Sequence, residues 1–63
     1  MFKLEMNTDG AAFRDEYEML DPCASEVCSI LWKVKTALEN GATSGTLIDV
    51  CGNAVGSWSY TDD

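Results

Sequence analysis

One stretch decides the fold: DPCASEVCSILWKVKTALENG, residues 21–41. Asp21 is a residue type that caps helix N-termini, and the proline after it is tolerated at the first helical position because its missing N–H has no partner there. Asn40 and Gly41 are typical of the left-handed residues that end a helix. The stretch therefore predicts one long helix over residues 22–40.

Apolar side chains recur on this helix at spacings of three and four residues, which is the pattern of a single buried face. They are Cys23, Ala24, Val27, Ile30, Leu31, Val34 and Leu38. Lys33 and Lys35 lie in the later turns, where cations suit the helix dipole. We therefore expect the helix to rest its apolar face on a second layer of structure.

Trp32 does not belong to that apolar face. At 100° per residue it lies about 140° from Val27, with Cys28 beside it. Tryptophan is enriched among the residues that dominate binding at interfaces, so an exposed Trp32 predicts a contact site. The alternative is that residues 11–20 fold over Trp32 and extend a limited core. The side chains available for this cover are Phe13, Tyr17 and Leu20.

Two further regions have the pattern of strands. Residues 2–7 read FKLEMN, and their strict alternation of apolar and polar side chains predicts a strand with one buried face. Residues 45–60 contain two β-rich runs around Gly52-Asn53, which predicts a hairpin.

The hairpin loop has two possible lengths. A two-residue loop would place Ile48 opposite Val55. A three-residue loop, with Gly52 in a bulge, would place Leu47 opposite Val55. The second is favoured because Asp49 could then accept hydrogen bonds from the backbone of the turn.

These elements form a single domain over residues 1–63, since a chain of this length holds one core. Residues 11–20 show no clean periodicity and are expected to form a turn or a short helix. The predicted fold is α+β in the order β-α-β-β, a three-stranded antiparallel sheet with one long helix packed on one face.

The charge of the chain points to a class of partner. Eleven Asp and Glu against four Lys and Arg give a formal net charge of −7, which opposes direct binding of nucleic acid. A protein with a basic surface, such as one built to handle nucleic acid, is the expected partner, although net charge can also serve solubility alone. The acids concentrate at Asp15, Glu16, Glu18, Asp21 and Glu26. This cluster is either a contact ridge or a solvated surface.

The last strand offers a second candidate contact. Trp58 and Tyr60 alternate with serines there. If this strand lies at a sheet edge, its aromatic side chains could pair with a partner or with a second copy of the chain. The predicted partner-binding set is therefore the acidic cluster, Trp32, Trp58 and Tyr60.

Enzymatic and metal chemistry find little support. The chain has no histidine to activate a nucleophile and no phosphate-binding glycine motif. Its three cysteines, Cys23, Cys28 and Cys51, are too few for a zinc site and odd for a disulfide framework, so reduced thiols are expected. We expect no catalytic residues, no cofactor and no metal. The N-terminus lacks the apolar core of a signal peptide and no apolar run could span a bilayer, which indicates a cytoplasmic protein.

Several short motifs together resemble a broad family of short proteins encoded by phages and prophages. The matching residues are the opening Phe2-Lys3-Leu4, Thr8-Asp9 before Ala11-Ala12-Phe13, Glu26-Val27 with Ile30-Leu31 and Val34, and Leu47, Asp49, Gly52-Asn53 and Val55-Gly56. The chain departs from the family by extra residues between Phe13 and Glu26 and by Cys51, where asparagine is usual.

What the resemblance implies is a phage origin more than an activity. Inhibitors of bacterial defence systems, including anti-CRISPR proteins, recur among short acidic phage proteins and act by binding. The resemblance therefore implies an inhibitor of a host defence complex in the bacterial cytoplasm. The alternative is a homodimeric phage accessory or structural protein without inhibitory activity.

Overall fold

The computed structural model describes all 63 residues. Its elements are β1 (Phe2–Met6), a 3₁₀ turn (Ala11–Phe13), α1 (Ser25–Glu39), β2 (Ser44–Ile48) and β3 (Ala54–Tyr60). The predicted α+β fold and its β-α-β-β order are confirmed. No helix has both the length and the apolar character that crossing a membrane requires.

The three strands form one antiparallel sheet in the order β1-β3-β2, so β3 is the central strand. Leu4 of β1 and Gly45 of β2 both lie opposite Trp58 of β3. The helix covers the face of the sheet that carries these three residues. The buried hydrophobic side chains are Phe13, Ile30, Val34, Leu47 and Trp58.

Two glycines of the sheet allow this close packing. A Cβ on Gly45 would lie 2.7 Å from Nε1 of Trp58, so the indole ring occupies the space that a side chain would need. A Cβ on Gly56 would lie 1.9 Å from the backbone oxygen of Glu5. Both distances are far shorter than a van der Waals contact, so each glycine allows a neighbour to come close.

The helix begins at Ser25, three residues later than predicted. Asp21 does not cap a helix that begins at Pro22; its carboxylate accepts the N–H groups of Cys23 at 2.9 Å and Ser25 at 3.3 Å, which makes a separate turn. Ala24 then takes a left-handed conformation, with φ of 51°. The side-chain oxygen satisfies the local donors of the turn, which is how aspartate competes with helix formation.

The C-terminal end of the helix agrees with the prediction. The helix stops at Glu39, and Gly41 adopts a φ of 93°. Of the predicted apolar face, Ile30 and Val34 are buried, whereas Leu31 and Cys23 are exposed. The apolar face that packs on the sheet is therefore narrower than predicted.

The hairpin has the favoured three-residue loop. The N–H of Asp49 donates to the Asn53 carbonyl, and Gly52 lies in the left-handed region with φ of 87°. The predicted pairing of Leu47 with Val55 is wrong, because the register shifts between Leu47 and Ile48. Leu47 lies opposite Gly56, so Val55 is an extra, bulged residue.

Residues 14–20 form a small hairpin-like loop. Arg14 and Leu20 form an antiparallel bridge, and Asp21 N–H donates to the Phe13 carbonyl at 2.9 Å. The 3₁₀ turn before it inserts Phe13 into the core against the helix. The segment is therefore a helical turn followed by an ordered loop, within the range of the prediction.

Candidate interaction surface

Trp32 lies on the side of the helix that faces away from the sheet. At 100° per residue it is about 160° from the buried Val34, and 64% of its surface is exposed. The alternative, in which residues 11–20 cover Trp32, is wrong, since Phe13 enters the core while Tyr17 and Leu20 are themselves exposed. Trp32 is therefore free to contact another molecule.

One cation of the same helix, Lys35, lies beside the Trp32 side chain. The Nζ atom of Lys35 lies 4.8 Å from the centroid of the indole ring, within the range of a cation–π contact. The same Nζ atom is 2.8 Å from Oε1 of Glu39, one turn further along the helix. Lys35 is therefore already paired on two sides, and one face of Trp32 is partly occupied by the chain's own cation.

The loop formed by residues 15–19, named here the acidic loop, is built around Asp15. The Oδ1 atom of Asp15 accepts the N–H groups of Tyr17 at 2.9 Å and Met19 at 3.1 Å. The backbone adds bonds from Asp15 N–H to the Met19 carbonyl and from Glu18 N–H to the Asp15 carbonyl. Four hydrogen bonds within five residues stabilise this loop conformation.

The acidic loop presents an apolar and acidic surface to solvent. Tyr17 is 76% exposed, and Met19 is also exposed. Glu16 and Glu18 flank Tyr17 in the chain, are exposed, and form no ion pair within the molecule. An exposed aromatic side chain on a hydrogen-bonded loop, between carboxylates that form no ion pair, has the features of an interface anchor.

The acids of the predicted acidic cluster therefore have different roles. Asp15 and Asp21 use their carboxylates to hold the backbone, whereas Glu16 and Glu18 are unbound. The hydrogen bond from Cys23 N–H, followed by that from Ser25 N–H, lowers the pKa of Asp21 below its usual value, which keeps this carboxyl ionised.

Asp21 and Glu26 lie near each other beside the helix N-terminus. Both line a groove of about 100 Å³ whose apolar lining includes Phe13 and Val27. Glu26 is half-buried in the first helical turn, where a carboxylate suits the dipole. The groove brings two of the five predicted acids together, although neither points as freely into solvent as Glu16 and Glu18.

Trp58 is not a surface contact. It is 5% exposed and lies on the central strand, packed in the core under the helix. The expectation that it could contact a partner from a sheet edge is wrong, because β1 and β2 cover both sides of β3. Tyr60, at the end of the same strand, is exposed and lines a shallow groove with Phe2 and Leu38.

Tyr17 and Met19 are exposed but do not belong to the predicted partner-binding set. The sequence pattern favours Tyr17 as cover for Trp32 and indicates no role for Met19. A signal was available, because the run Glu16-Tyr17-Glu18-Met19 alternates acidic and apolar residues. On an extended segment, this alternation would place Tyr17 and Met19 together on one face. In the structure the turn around Asp15 has no packing partner on that face, so both side chains are exposed.

The three cysteines, Cys23, Cys28 and Cys51, are free and exposed. No group of three or more potential metal ligands comes together in the structure. The expectations that the chain is not an enzyme and binds no cofactor remain predictions.

Comparison of the chain with protein-family models, with curated proteins and with solved structures gives no match.

Proposed function

We propose that the chain is a phage-encoded protein that binds and inhibits a host defence complex, in the manner of an anti-CRISPR protein, through contacts with a basic protein surface. The observation that carries this proposal is the acidic loop, which holds Tyr17 outward between Glu16 and Glu18. The proposal also rests on the resemblance to short phage proteins and places the activity in the host cytoplasm.

The charge distribution supports a basic partner. Of the four cationic side chains, Arg14 lies 3.9 Å from Asp9 and Lys35 is paired with Glu39, so both are partly neutralised by acids of the chain itself. Most of the acids, Glu16 and Glu18 among them, have no cation beside them. An acidic surface with a net charge of −7 would accelerate association with a surface rich in Lys and Arg. Proteins that hold nucleic acid carry such surfaces.

The aromatic side chains of Tyr17 and Trp32 would supply binding affinity, whereas the charge of the chain would raise the association rate. Tyr17 and Trp32 are both aromatic and exposed. The Tyr17 backbone is held by its N–H bond to Asp15, and the Trp32 ring lies beside Lys35, so less conformational freedom is lost when they are buried than for side chains on an unstructured segment. The interface is larger if one partner covers both side chains. Tyr17→Ala and Trp32→Ala, tested singly, measure how much each side chain contributes to the binding affinity.

The experiment combines infection with direct capture. The chain is expressed in bacteria that carry an active CRISPR–Cas system and are challenged with a phage that this system targets; we expect plaque formation to rise. The tagged chain should also retain a nucleic-acid-handling protein of the defence complex from lysate. Tyr17→Ala and the double charge reversal E16K/E18K are expected to lower both readouts by at least tenfold, since hot-spot truncation costs about 2 kcal/mol or more.

Matched variants separate contact from folding and from total charge. The double variant D62K/D63K reverses two charges at the exposed C-terminal end of the chain, as many as E16K/E18K, and should leave inhibition unchanged. Circular dichroism should give the same helix content for all variants, because Tyr17, Glu16 and Glu18 are exposed. The proposal would be ruled out if the wild-type chain did not raise plaque formation, or if the wild type and E16K/E18K raised it equally.

A further inference from the structure

The outer edge of β1 is open. Antiparallel strands alternate between residues whose peptide groups bond across the pair and residues whose peptide groups point away. At the two ends of β1, the Met1 carbonyl accepts the N–H of Thr61 at 2.9 Å, and the N–H of Asn7 donates to the Val55 carbonyl at 2.6 Å. The odd-numbered residues therefore bond to β3, and the even-numbered residues direct N–H and C=O outward. These are Phe2, Leu4 and Met6.

No loop bonds to these outward peptide groups, since none of the hydrogen bonds made outside helices and strands involves them. Phe2 is 47% exposed, and Leu4 and Met6 are half-buried. An open edge of this kind accepts a further strand unless charge, proline or a bulge prevents it. β1 contains neither a proline nor a bulge.

The charges of β1 are arranged as a complementary pair. Lys3 and Glu5 are exposed on the sheet face that the helix leaves uncovered. Neither forms an ion pair within the chain. They stand symmetrically on either side of Leu4, so the strand reads apolar, positive, apolar, negative, apolar.

We infer that two copies of the chain pair antiparallel through β1, with Leu4 on the two-fold axis, to form one continuous six-stranded sheet. Leu4 lies opposite Leu4 of the second copy, and Phe2 lies opposite Met6. Each of these outward residues exchanges two hydrogen bonds with the residue opposite. Lys3 then faces Glu5 of the second copy, twice, on the uncovered face of the sheet.

The charges select this register over its neighbours. The outward residues must face each other, so the pairing can shift only in steps of two residues. One symmetric shift places Lys3 opposite Lys3, and the other places Glu5 opposite Glu5. Like charges directly opposite each other are destabilising, and each shift also removes hydrogen bonds from the end of the ladder. The register centred on Leu4 is the one that satisfies both conditions.

The second edge of the sheet, β2, lacks these features. Its sequence, SGTLI, contains no charged residue that could fix a register. The irregular pairing between Leu47 and Ile48 also disturbs the ladder at one end of the strand. β1 is therefore the edge suited to a second copy. This inference is independent of the proposed function, because β1 contains none of the residues of the acidic loop.

Sedimentation of the full chain tests the inference across a concentration range up to millimolar. We expect a monomer–dimer equilibrium for the wild type. Lys3→Glu replaces both attractions by repulsions and should raise the dimer dissociation constant roughly tenfold, and Glu5→Lys should do the same. Both side chains are exposed, so neither variant is expected to unfold.

Two rescues make the test specific. The double variant K3E/E5K keeps the net charge and should dimerise as the wild type does. An equimolar mixture of K3E and E5K should form a heterodimer more tightly than either variant pairs with itself, because opposite charges then face each other at both positions. A monomeric wild type, a K3E variant that dimerises normally, or a dimer abolished by Trp32→Ala would each overturn the inference.

Discussion

Two loops of the molecule share one hydrogen-bond pattern although their sequences differ: residues 15–19 and residues 49–53. Each begins with an aspartate whose Oδ1 accepts the N–H groups of the residues two and four positions later. In each, the N–H of the fourth residue donates to the carbonyl of the aspartate at 3.0 Å. The N–H of the aspartate donates to the carbonyl of the fifth residue in both. The same five-residue turn therefore occurs twice.

The two loops differ at the fourth residue and in burial. Gly52 takes the left-handed conformation in one, with φ of 87°, and Glu18 takes it in the other, with φ of 61°. Asp49 is 4% exposed, whereas Asp15 is only half-buried. The comparison shows that aspartate organises this turn and that glycine only lowers its conformational cost.

A related turn precedes the helix. The Asp21 carboxylate accepts the N–H groups two and four residues later, and Ala24 N–H donates to the Asp21 carbonyl. The fourth residue, Ala24, is again left-handed. Here the chain leaves the turn into α1, and the N–H of Asp21 bonds to the Phe13 carbonyl instead of to a residue of its own turn.

The largest expected difference between the two loops comes from removing their aspartates. Asp49→Ala should lower the free energy of unfolding by about 2–3 kcal/mol, because it leaves partly buried N–H groups of Cys51 and Asn53 without a partner. Asp15→Ala should cost about 1 kcal/mol or less, because water can reach the N–H groups that it releases. Urea denaturation monitored by tryptophan fluorescence measures both.

Asp49→Asn is the control for this prediction. It keeps a side-chain oxygen for the two N–H groups while removing the charge, so it should be milder than Asp49→Ala. Equal losses for Asp49→Ala and Asp15→Ala would show that burial does not distinguish the two loops.

The comparison also explains which parts of the fold could be predicted from the sequence. The loop at 49–53 is predictable because Gly52 marks a left-handed residue. The strand predicted over residues 2–7, which forms at Phe2–Met6, is predictable because its alternation is strict. The loop at 15–19 is not predictable, because Glu18 carries no such signal. The bulge at Val55 lies in the pairing of β2 with β3, and Gly56 beside it meets the backbone of β1. Both features join distant parts of the chain, so local sequence patterns do not show them.

The candidate site was partly predictable for the same reason. The position of Trp32 follows from helix periodicity, which is local, and its exposure agrees with its place outside the apolar face. The burial of Trp58 depends on β3 being central and on Gly45 leaving room for the indole ring. Strand order is a property of the assembled sheet, so the alternation of Trp58 with serines could not distinguish a core residue from a contact residue.

A smaller effect is expected from exchanging the residue types at the fourth position. Glu18→Gly should raise the free energy of unfolding by about 0.5–1 kcal/mol, because relief of the left-handed conformation exceeds the entropy that glycine adds to the unfolded chain. Gly52→Ala should lower it by a similar amount for the opposite reason. Thermal denaturation followed by circular dichroism compares the two directly.

Removing the charge of Glu18 could itself stabilise an acidic chain. Glu18→Gln keeps the conformational cost and removes the charge, so the difference between the glycine and glutamine variants isolates the backbone effect. Glu16→Gly, at a position without a positive φ, should not stabilise. A Glu18→Gly variant no more stable than Glu18→Gln would contradict the assignment of strain to this residue.

The smallest expected effect concerns the pH dependence of the turn at Asp21. The N–H groups of Cys23 and Ser25 lower the pKa of this carboxyl in the folded chain from its ordinary value of 3.8. A carboxyl whose pKa is lower in the folded state contributes stability above its unfolded pKa and loses that contribution as pH falls through the folded pKa. The stability difference between wild type and Asp21→Asn should therefore be constant near neutral pH and shrink below about pH 4. Glu16→Gln, which removes a carboxylate that accepts no backbone N–H, is the matched control. A difference for Asp21→Asn that does not change across this acidic range would mean that the turn needs a side-chain oxygen but not its charge, and the same question then applies to Asp15 and Asp49.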